Sequence, residues 1–313
     1  MRHLYFIAVA LVLLSCETTI HPQLEQAENI IVVDAWVNQE MKRQKISVTR
    51  SQSYFDNSTP VKIGDAEVVV HDLTSGEVYL FEEGDDAYYW EPASFPFGVI
   101  GHQYRLIVTV DGETFEAFSR LGRVPPIDSI EFSFNEKDLL VNQDYFTAEF
   151  KALEPAGVGD TYWIKAWKNG HHLNKPGELN MTYDASFTPG QSVDGQQFII
   201  PIRKDFINPL DENPQKKNEM LPPYEVGDSV YVEIHSIDPM AYEFLFGVYF
   251  QITRPGGFAE LFSMPLANAT TNILNLNKNS GTRAAGFFNV SAISRKGQRL
   301  TSEVAEAAKQ MAD

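Results

Sequence analysis

The residues with the most reactive side chains are spread along this chain and do not form a catalytic motif. His171-His172 is an adjacent pair, but a zinc or copper site takes three or four ligands, and no cysteine or histidine motif supplies the others. The acidic pairs Asp85-Asp86 and Asp211-Glu212 lack the spacing of a calcium-binding loop. No serine stands in a Gly-x-Ser-x-Gly elbow. We therefore expect solvated side chains at these positions and predict no enzyme, no metal and no cofactor.

Cys16, the only cysteine in the chain, ends an apolar run that starts after Arg2. The run is shorter than the ~20 apolar residues that a transmembrane helix needs, and it indicates a secretory signal peptide at residues 1–15. Its end, Leu13-Leu14-Ser15-Cys16, resembles the bacterial lipobox, in which the cysteine is lipidated and becomes the first mature residue. Lipidation by diacylglycerol and fatty acids such as palmitate would explain an unpaired cysteine in an exported protein. The alternative is an ordinary signal peptide with a chance cysteine.

The charge of the chain excludes one class of partner. The formal net charge is -17, and removal of residues 1–15, which contain the single charge of Arg2, changes it from -17 to -18. A surface this acidic repels phosphate backbones, so we predict that the protein does not bind nucleic acid. Membrane attachment must then come from the lipid, where each buried methylene contributes roughly 0.8 kcal/mol. The polar residues 16–28 are predicted to be the lipidated tether.

Short strands separated by turn signals are predicted over most of the mature chain, and this pattern indicates a mainly β fold with two sandwich-like domains in tandem. Residues 29–122 form the first predicted sandwich. Its clearest hairpin signal is Asp111-Gly112, which follows the alternating run of residues 101–110. The turn chemistry around Gly64-Asp65-Ala66 resembles small sandwiches of the immunoglobulin or transthyretin type.

Two prolines at residues 125 and 126 mark the predicted boundary between the domains, because they favour a stiff, extended link. Residues 127–313 are predicted to form a β-rich domain, with strands at 197–202 and 285–293. Helical spacing of aromatic residues predicts one helix near residues 239–253, with Asp238 as its N-cap and Pro239 as its first residue. The proline-rich stretch 205–224 is predicted to be a long polar loop.

Aromatic side chains are the best candidates for binding. Phe95 and Phe97 fall in a predicted loop, where apolar rings are not expected to be buried, and Trp90 is close to them in sequence. Such rings suit a protein contact or a platform on which sugars stack. The alternative is that this loop folds back over one end of the sandwich. Trp163 and Trp167 are further candidates for sugar stacking unless they lie in the core.

The order of features along the chain resembles a family of Bacteroidota outer-membrane lipoproteins, known as domain of unknown function 4249. The features that carry the resemblance are the lipobox, the first strand (31–37), Gly64-Asp65-Ala66, residues 101–106, residues 126–130, the helix after Asp238 and residues 285–288. The resemblance implies an envelope lipoprotein whose genes often accompany TonB-dependent receptors. It implies no reaction and transfers no catalytic residue.

We therefore predict a lipid-anchored outer-membrane accessory protein that partners a TonB-dependent receptor in the uptake of a nutrient. The loop at 205–224 and the loop of Phe95 and Phe97 are the candidate interfaces. The alternative is an independent glycan- or peptide-binding surface lipoprotein. Glu17-Thr18-Thr19 resembles the acidic surface-export signal of such lipoproteins only loosely, so the periplasmic and the cell-surface face of the membrane both stay open.

Overall fold

Buried and exposed side chains alternate along most strands of the chain. In a computed structural model these strands form two main sheets, each with an apolar face that is buried. The structure describes residues 29–53, 56, 58–190, 193–254, 256 and 269–312. The predicted signal peptide (1–15), the predicted tether (16–28) and Cys16 lie outside this part of the chain. With 41% strand and 13% helix, the predicted mainly β, sandwich-like class is confirmed.

The strands are β1 (Ile31–Asn38), β2 (Gln44–Arg50), β3 (Glu67–Asp72), β4 (Val78–Glu83), β5 (Tyr88–Trp90), β6 (Gln103–Val110), β7 (Glu113–Arg120), β8 (Ser129–Asn135), β9 (Tyr145–Lys151), β10 (Thr161–Lys168), β11 (His171–Leu173), β12 (Asn180–Tyr183), β13 (Asp211–Glu212), β14 (Met220–Leu221), β15 (Ser229–Ile237), β16 (Leu274–Asn275), β17 (Ala284–Ser291) and β18 (Ile293–Arg299). The helices are α1 (Ile200–Arg203), α2 (Pro239–Ile252) and α3 (Ser302–Ala312).

The first sheet has nine strands in the order β16-β7-β6-β3-β4-β5-β2-β1-β17 and is nearly closed into a barrel. Asn272 joins the two ends of the sheet: its Nδ2 donates to Phe118 O at 3.1 Å and to Phe288 O at 2.8 Å. Ser119 Oγ adds a second link by accepting a hydrogen bond from Val290 N at 3.0 Å. Side chains of both ends therefore satisfy backbone groups that an open sheet edge would leave exposed.

The pairing of β1 with β17 is parallel and runs from Ile31 opposite Ala284 to Asn38 opposite Ser291. This parallel pairing requires a glycine at position 286 of β17. Gly286 has φ +94, and a Cβ there would lie 1.9 Å from Val33 O. The two backbones can approach this closely only because Gly286 has no side chain.

The second sheet has the strand order β11-β10-β15-β18, with β12 also paired to β10. Its inner face packs against the β8–β9 hairpin, α1 and α3, and these elements enclose a second hydrophobic core. The chain passes from the first sheet to the second at Ala292, which is held by Ser236 through two hydrogen bonds. Ala292 N donates to Ser236 Oγ at 2.8 Å, and Ala292 O accepts from Ser236 N at 2.9 Å.

The late strands β16 and β17 belong to the first sheet, so that sheet is not built from residues 29–122 alone, as the sequence pattern had suggested. The reason is long-range pairing: β17 is an apolar strand that pairs with β1, although four of the five strands of the second sheet lie between them in sequence. The division of the chain into independent domains at residues 123–126 stays a prediction.

Helix α2 forms where it was predicted and lies against β10, β12 and β17. Asp238 is its N-cap, with Oδ1 accepting a hydrogen bond from Met240 N at 3.0 Å, and Pro239 is its first residue. Ala241, Tyr242 and Leu245 form the buried face of the helix. Among the described helices, none is long and apolar enough to cross a membrane.

Three local predictions were wrong. Residues 200–203 form α1 and not a strand, because Pro201 in the first turn favours a helix and an apolar run of this length fits either structure. The predicted loop at 205–224 contains the short strands β13 and β14, and its ends are fixed by a hydrogen bond from Tyr224 Oη to Ile207 O at 2.6 Å. The predicted last strand at 285–293 is two strands, β17 and β18.

We expect Gly286→Ala to lower the free energy of unfolding by about 3 kcal/mol or more, since it combines backbone strain with a clash against Val33. Gly76→Ala is the matched control, because Gly76 has φ +82 but no neighbouring atom within 4 Å of the position that a Cβ would take. It tests strain alone and should cost about 1 kcal/mol. Urea unfolding of both variants measures the difference, and equal losses would contradict the close approach of β1 and β17.

Candidate functional site

The predicted aromatic loop is divided between core and surface. Phe97 is 0% exposed and its ring lies 4.3 Å from that of Tyr79, so it is a core residue and not an exposed platform. Phe95 is 42% exposed, and half-buried Trp90 lies 6.2 Å from it. The loop thus folds back over the end of the barrel with Phe97 as its anchor. A binding role for Phe95 and Trp90 stays a prediction.

The other reactive residues take structural positions. His171-His172 is not in a loop but in the edge strand β11, and the His172 ring stacks on Trp167 at 4.7 Å. Asp86 binds Lys45 Nζ at 2.8 Å, and this contact lowers the pKa of Asp86 to about 2. Asp211 lies in β13 and binds Lys175. Within the described residues, no group of three or more histidine, cysteine or acidic side chains is placed to hold a metal.

The structure brings a different set of residues together on the outer face of the second sheet. Alternation along β10 puts Trp163, Lys165 and Trp167 on this face. Their cross-strand neighbours on β15 are His235, Glu233 and Tyr231, in the same order. We call the surface formed by these six residues, together with Asp34 and Trp36 of β1, the tryptophan groove.

Strand β1 forms one wall of the tryptophan groove. The Trp36 ring lies 5.3 Å from that of Trp163 in an edge-to-face arrangement, and it stacks on Phe287 at 5.9 Å. Beyond β1, the chain extends over the second sheet, where Glu40 Oε1 binds Arg295 Nη1 at 2.5 Å. The groove is therefore built at the junction of the two sheets, from strands that lie far apart in sequence.

Lys165 lies on the floor of the groove. Its Nζ is 3.8 Å from the centre of the Trp163 ring, a cation–π contact. Desolvation lowers the pKa of Lys165 to about 8, although Glu233 and Asp34 act in the opposite direction. Desolvation also raises the pKa of Asp34, whose side chain is nevertheless exposed to solvent. The residues around Lys165 and Asp34 thus remove both charged groups partly from water.

His235 and Glu233 form a pair inside the groove, with His235 Nε2 and Glu233 Oε2 2.8 Å apart. His235 is 8% exposed, and its desolvation outweighs the attraction of Glu233, so the pKa of His235 falls to about 4. The imidazole is then neutral at pH 7, and its Nε2–H donates to the carboxylate. Glu233 also accepts a hydrogen bond from Tyr231 Oη at 3.2 Å.

A second cleft, of 660 Å³, lies where the link between the sheets meets β10 and the start of α2. Arg123 fills one side of it: Nε binds Asp160 Oδ2 at 2.6 Å, and Nη1 donates to Ala156 O at 2.8 Å. Nη2 donates to Pro155 O and Gly157 O. Because these contacts occupy the guanidinium, we interpret Arg123 as a structural clamp between the link and the loop at 155–157.

The tryptophan groove combines aromatic rings, indole N–H donors, an ammonium and carboxylates, which is a set suited to binding. Sequence reasoning had identified Trp163 and Trp167 but missed Trp36, Lys165 and Asp34. One signal was present: the alternation Trp163, Lys165, Trp167 places three unusual side chains on one strand face. The contribution of β1 had no local signal, because it depends on how the two sheets pack.

The fold defines a mainly β protein, and the groove is its candidate binding site. Residues 17–297 match the family described as Domain of unknown function (DUF4249). The match covers most of the 313 residues, so the chain belongs to this family. No curated protein shows significant similarity to this sequence.

The position of Phe97 predicts a difference in stability between two neighbouring rings. We expect Phe97→Ala to lower the free energy of unfolding by about 3–5 kcal/mol, because it leaves a cavity among buried aromatic rings. Phe95→Ala removes a partly exposed ring from the same loop and should cost less than about 1 kcal/mol. Chemical unfolding of the two variants gives both values. Similar losses for both would show that Phe97 is not the anchor.

The depressed pKa of His235 predicts a pH dependence. The ordinary pKa is 6.5 and the folded value is about 4, so the unfolded chain binds more protons between these pH values. The stability contributed by neutral His235 is complete above pH 6.5 and is lost as the pH falls towards 4, by roughly 3 kcal/mol in total. His235→Gln keeps an N–H donor for Glu233 but cannot titrate.

Unfolding measurements at pH 4.5 and 7.5 test this, with His71→Gln on the outer face of β3 as the control. The difference in unfolding free energy between the wild-type protein and His235→Gln should shrink, or change sign, at the lower pH. A difference that is the same at both pH values would rule out a buried neutral imidazole.

Proposed function

We propose that this protein is a Bacteroidota outer-membrane lipoprotein that partners a TonB-dependent receptor and captures ligand for it. The observation that carries the binding role is the tryptophan groove, where aromatic rings and charged groups converge at the junction of two sheets. The lipobox at Cys16 supports the anchor. Membership of the DUF4249 family supports the receptor, because the family resemblance implies genes that accompany such receptors.

The arrangement of the groove favours capture over chemistry. His235 and Glu233 bind each other, and the pKa of His235 is too low for an acid–base group that works near neutral pH. Lys165 keeps a pKa of about 8, so it is charged in most molecules at pH 7 and suits the recognition of a ligand better than nucleophilic attack.

Purification from the native outer membrane tests the proposal. A C-terminal tag on the full-length lipoprotein, extracted in mild detergent, should recover a large β-barrel receptor in near-equal amount. A stable complex of this kind buries at least roughly 1,000 Å² in total. Cys16→Ala is the control, since it removes the lipid without changing the folded body and should abolish recovery from the membrane fraction.

Deletion of the receptor gene gives the reciprocal measurement. We expect the lipoprotein to lose its high-mass complex and to fall in abundance. If deletion changes neither the complexes nor the level of the protein, the receptor partnership is wrong.

The second candidate function is an independent glycan- or peptide-binding surface lipoprotein, and the same groove favours it. Recovery of the lipoprotein alone from the membrane, together with ligand binding by the purified protein, would support this alternative. The two functions thus share a binding site and differ in whether a receptor is attached.

A further inference from the structure

Two charged side chains in the tryptophan groove have no partner of opposite charge in contact with them among the residues that the structure describes. Lys165 Nζ contacts the Trp163 ring, and no hydrogen-bond acceptor or carboxylate among the described residues is within bonding distance of it. The Asp34 carboxylate likewise has no hydrogen bond or ion pair in the described part of the chain. Each is close enough to influence the pKa of the other, but they do not form an ion pair with each other.

The remaining charges around the groove are paired, which makes these two exceptional. Glu233 is bound to His235 and Tyr231. Glu40 is bound to Arg295, and Lys45, the other ammonium that acts on Asp34, is bound to Asp86. Burial of an unpaired charge costs free energy, and a neutral side chain or a short ion pair at these two positions would have cost less.

Both side chains flank the contact between two tryptophans. Asp34 and Trp36 are two residues apart on β1, and Trp163 and Lys165 are two residues apart on β10, so each charge lies next to a ring on the same strand face. The Trp36–Trp163 contact joins the two pairs. A carboxylate and an ammonium therefore both lie beside the apolar surface that the two rings form, close enough for each to act on the pKa of the other.

We propose that the tryptophan groove binds a short peptide with free ends, whose ammonium binds Asp34 and whose carboxylate binds Lys165. The apolar part of the peptide then lies on Trp36 and Trp163. This proposal rests on the ligand-capturing role proposed above and specifies the class of ligand.

A zwitterionic peptide explains more of the groove than a neutral sugar does. The hydroxyl groups of a sugar would leave the charges of Lys165 and Asp34 without a counter-ion. A purely anionic ligand would be repelled by Asp34 and Glu233, and a purely cationic ligand by Lys165.

Equilibrium dialysis of the purified full-length lipoprotein in detergent, against a mixture of random tripeptides, tests the proposal. The mixture is used with free ends, with acetylated N-termini and with amidated C-termini, and bound peptides are measured by mass spectrometry. We expect the free peptides to be enriched, and either cap to reduce enrichment about tenfold, because each removes a charge-assisted hydrogen bond.

Two substitutions test which groove residue binds which end of the peptide. With Lys165→Met, which keeps the aliphatic stem on Trp163, amidation of the C-terminus should no longer matter, whereas acetylation of the N-terminus still should. With Asp34→Asn the pattern should be reversed. Lys168→Met is the matched control, since Lys168 lies at the end of the same strand and is paired with Asp228.

The proposal is wrong if no tripeptide is enriched over the Trp36→Ala variant, or if capping has no effect on enrichment. It is also wrong if neutral oligosaccharides in a parallel dialysis are enriched instead.

Co-purification of the receptor with the Lys165→Met variant separates the question of peptide binding from that of the receptor partnership. Normal recovery of the receptor by Lys165→Met, together with weaker enrichment of free peptides, would support both proposals. Enrichment of free peptides by the wild-type protein, with no receptor recovered, would support the peptide site alone.

Discussion

The parallel pairing of β1 with β17 is the interaction on which the rest of the structure depends. It joins the first described strand to one more than 250 residues later, and it closes the barrel together with the links made by Asn272 and Ser119. It also brings the chain to Ala292, where the second sheet begins. If the β1–β17 pairing were lost, the barrel would open and the junction at Ala292 would no longer be held beside β1.

The same strand positions the tryptophan groove. Alternation in β1 sends Val33, Ala35 and Val37 into the barrel core and Asp34 and Trp36 outwards, towards the second sheet. Strand β1 is buried on one face by its own barrel and partly covered on the other by Trp163 and Phe287. Strand β1 therefore contributes both to the barrel core and to the tryptophan groove, and its two groove residues, Asp34 and Trp36, come from the strand itself and not from a loop.

Local features were predictable because their causes are local. The Asp111-Gly112 hairpin has φ values of +55 and +77, the left-handed region that these residues tolerate, and it joins β6 to β7 as expected. Helix α2 starts at the predicted cap because Asp238 and Pro239 suit the first turn of a helix. The family was identified from the order of such features. The confirmed parts of the prediction are thus those in which neighbouring residues decide the conformation.

The parts that failed depend on distant partners. Nothing near residues 284–291 indicates that they pair with β1, because parallel pairing over such a distance leaves no turn signal. Phe97 was expected to be exposed because it falls in a loop between strands. The structure agrees with the alternative, in which this loop folds back, because the ring of Phe97 packs among Tyr79, Trp90 and Tyr104. The groove was missed for the same reason, since Trp36 and Trp163 meet only through the packing of two sheets.

The topology also bears on where a lipid anchor would hold the groove. The described chain enters at the start of β1, where Ile31 lies opposite Arg50, and the second sheet begins past its other end, where Asn38 lies opposite Ser291. Eight residues of strand separate these ends by roughly 25 Å. A tether at residues 16–28 would therefore join the barrel at the Ile31 end of β1, and the second sheet begins past the other end of this strand. Asp34 and Trp36 lie between the two ends, so β1 itself would connect a lipid at Cys16 to the tryptophan groove.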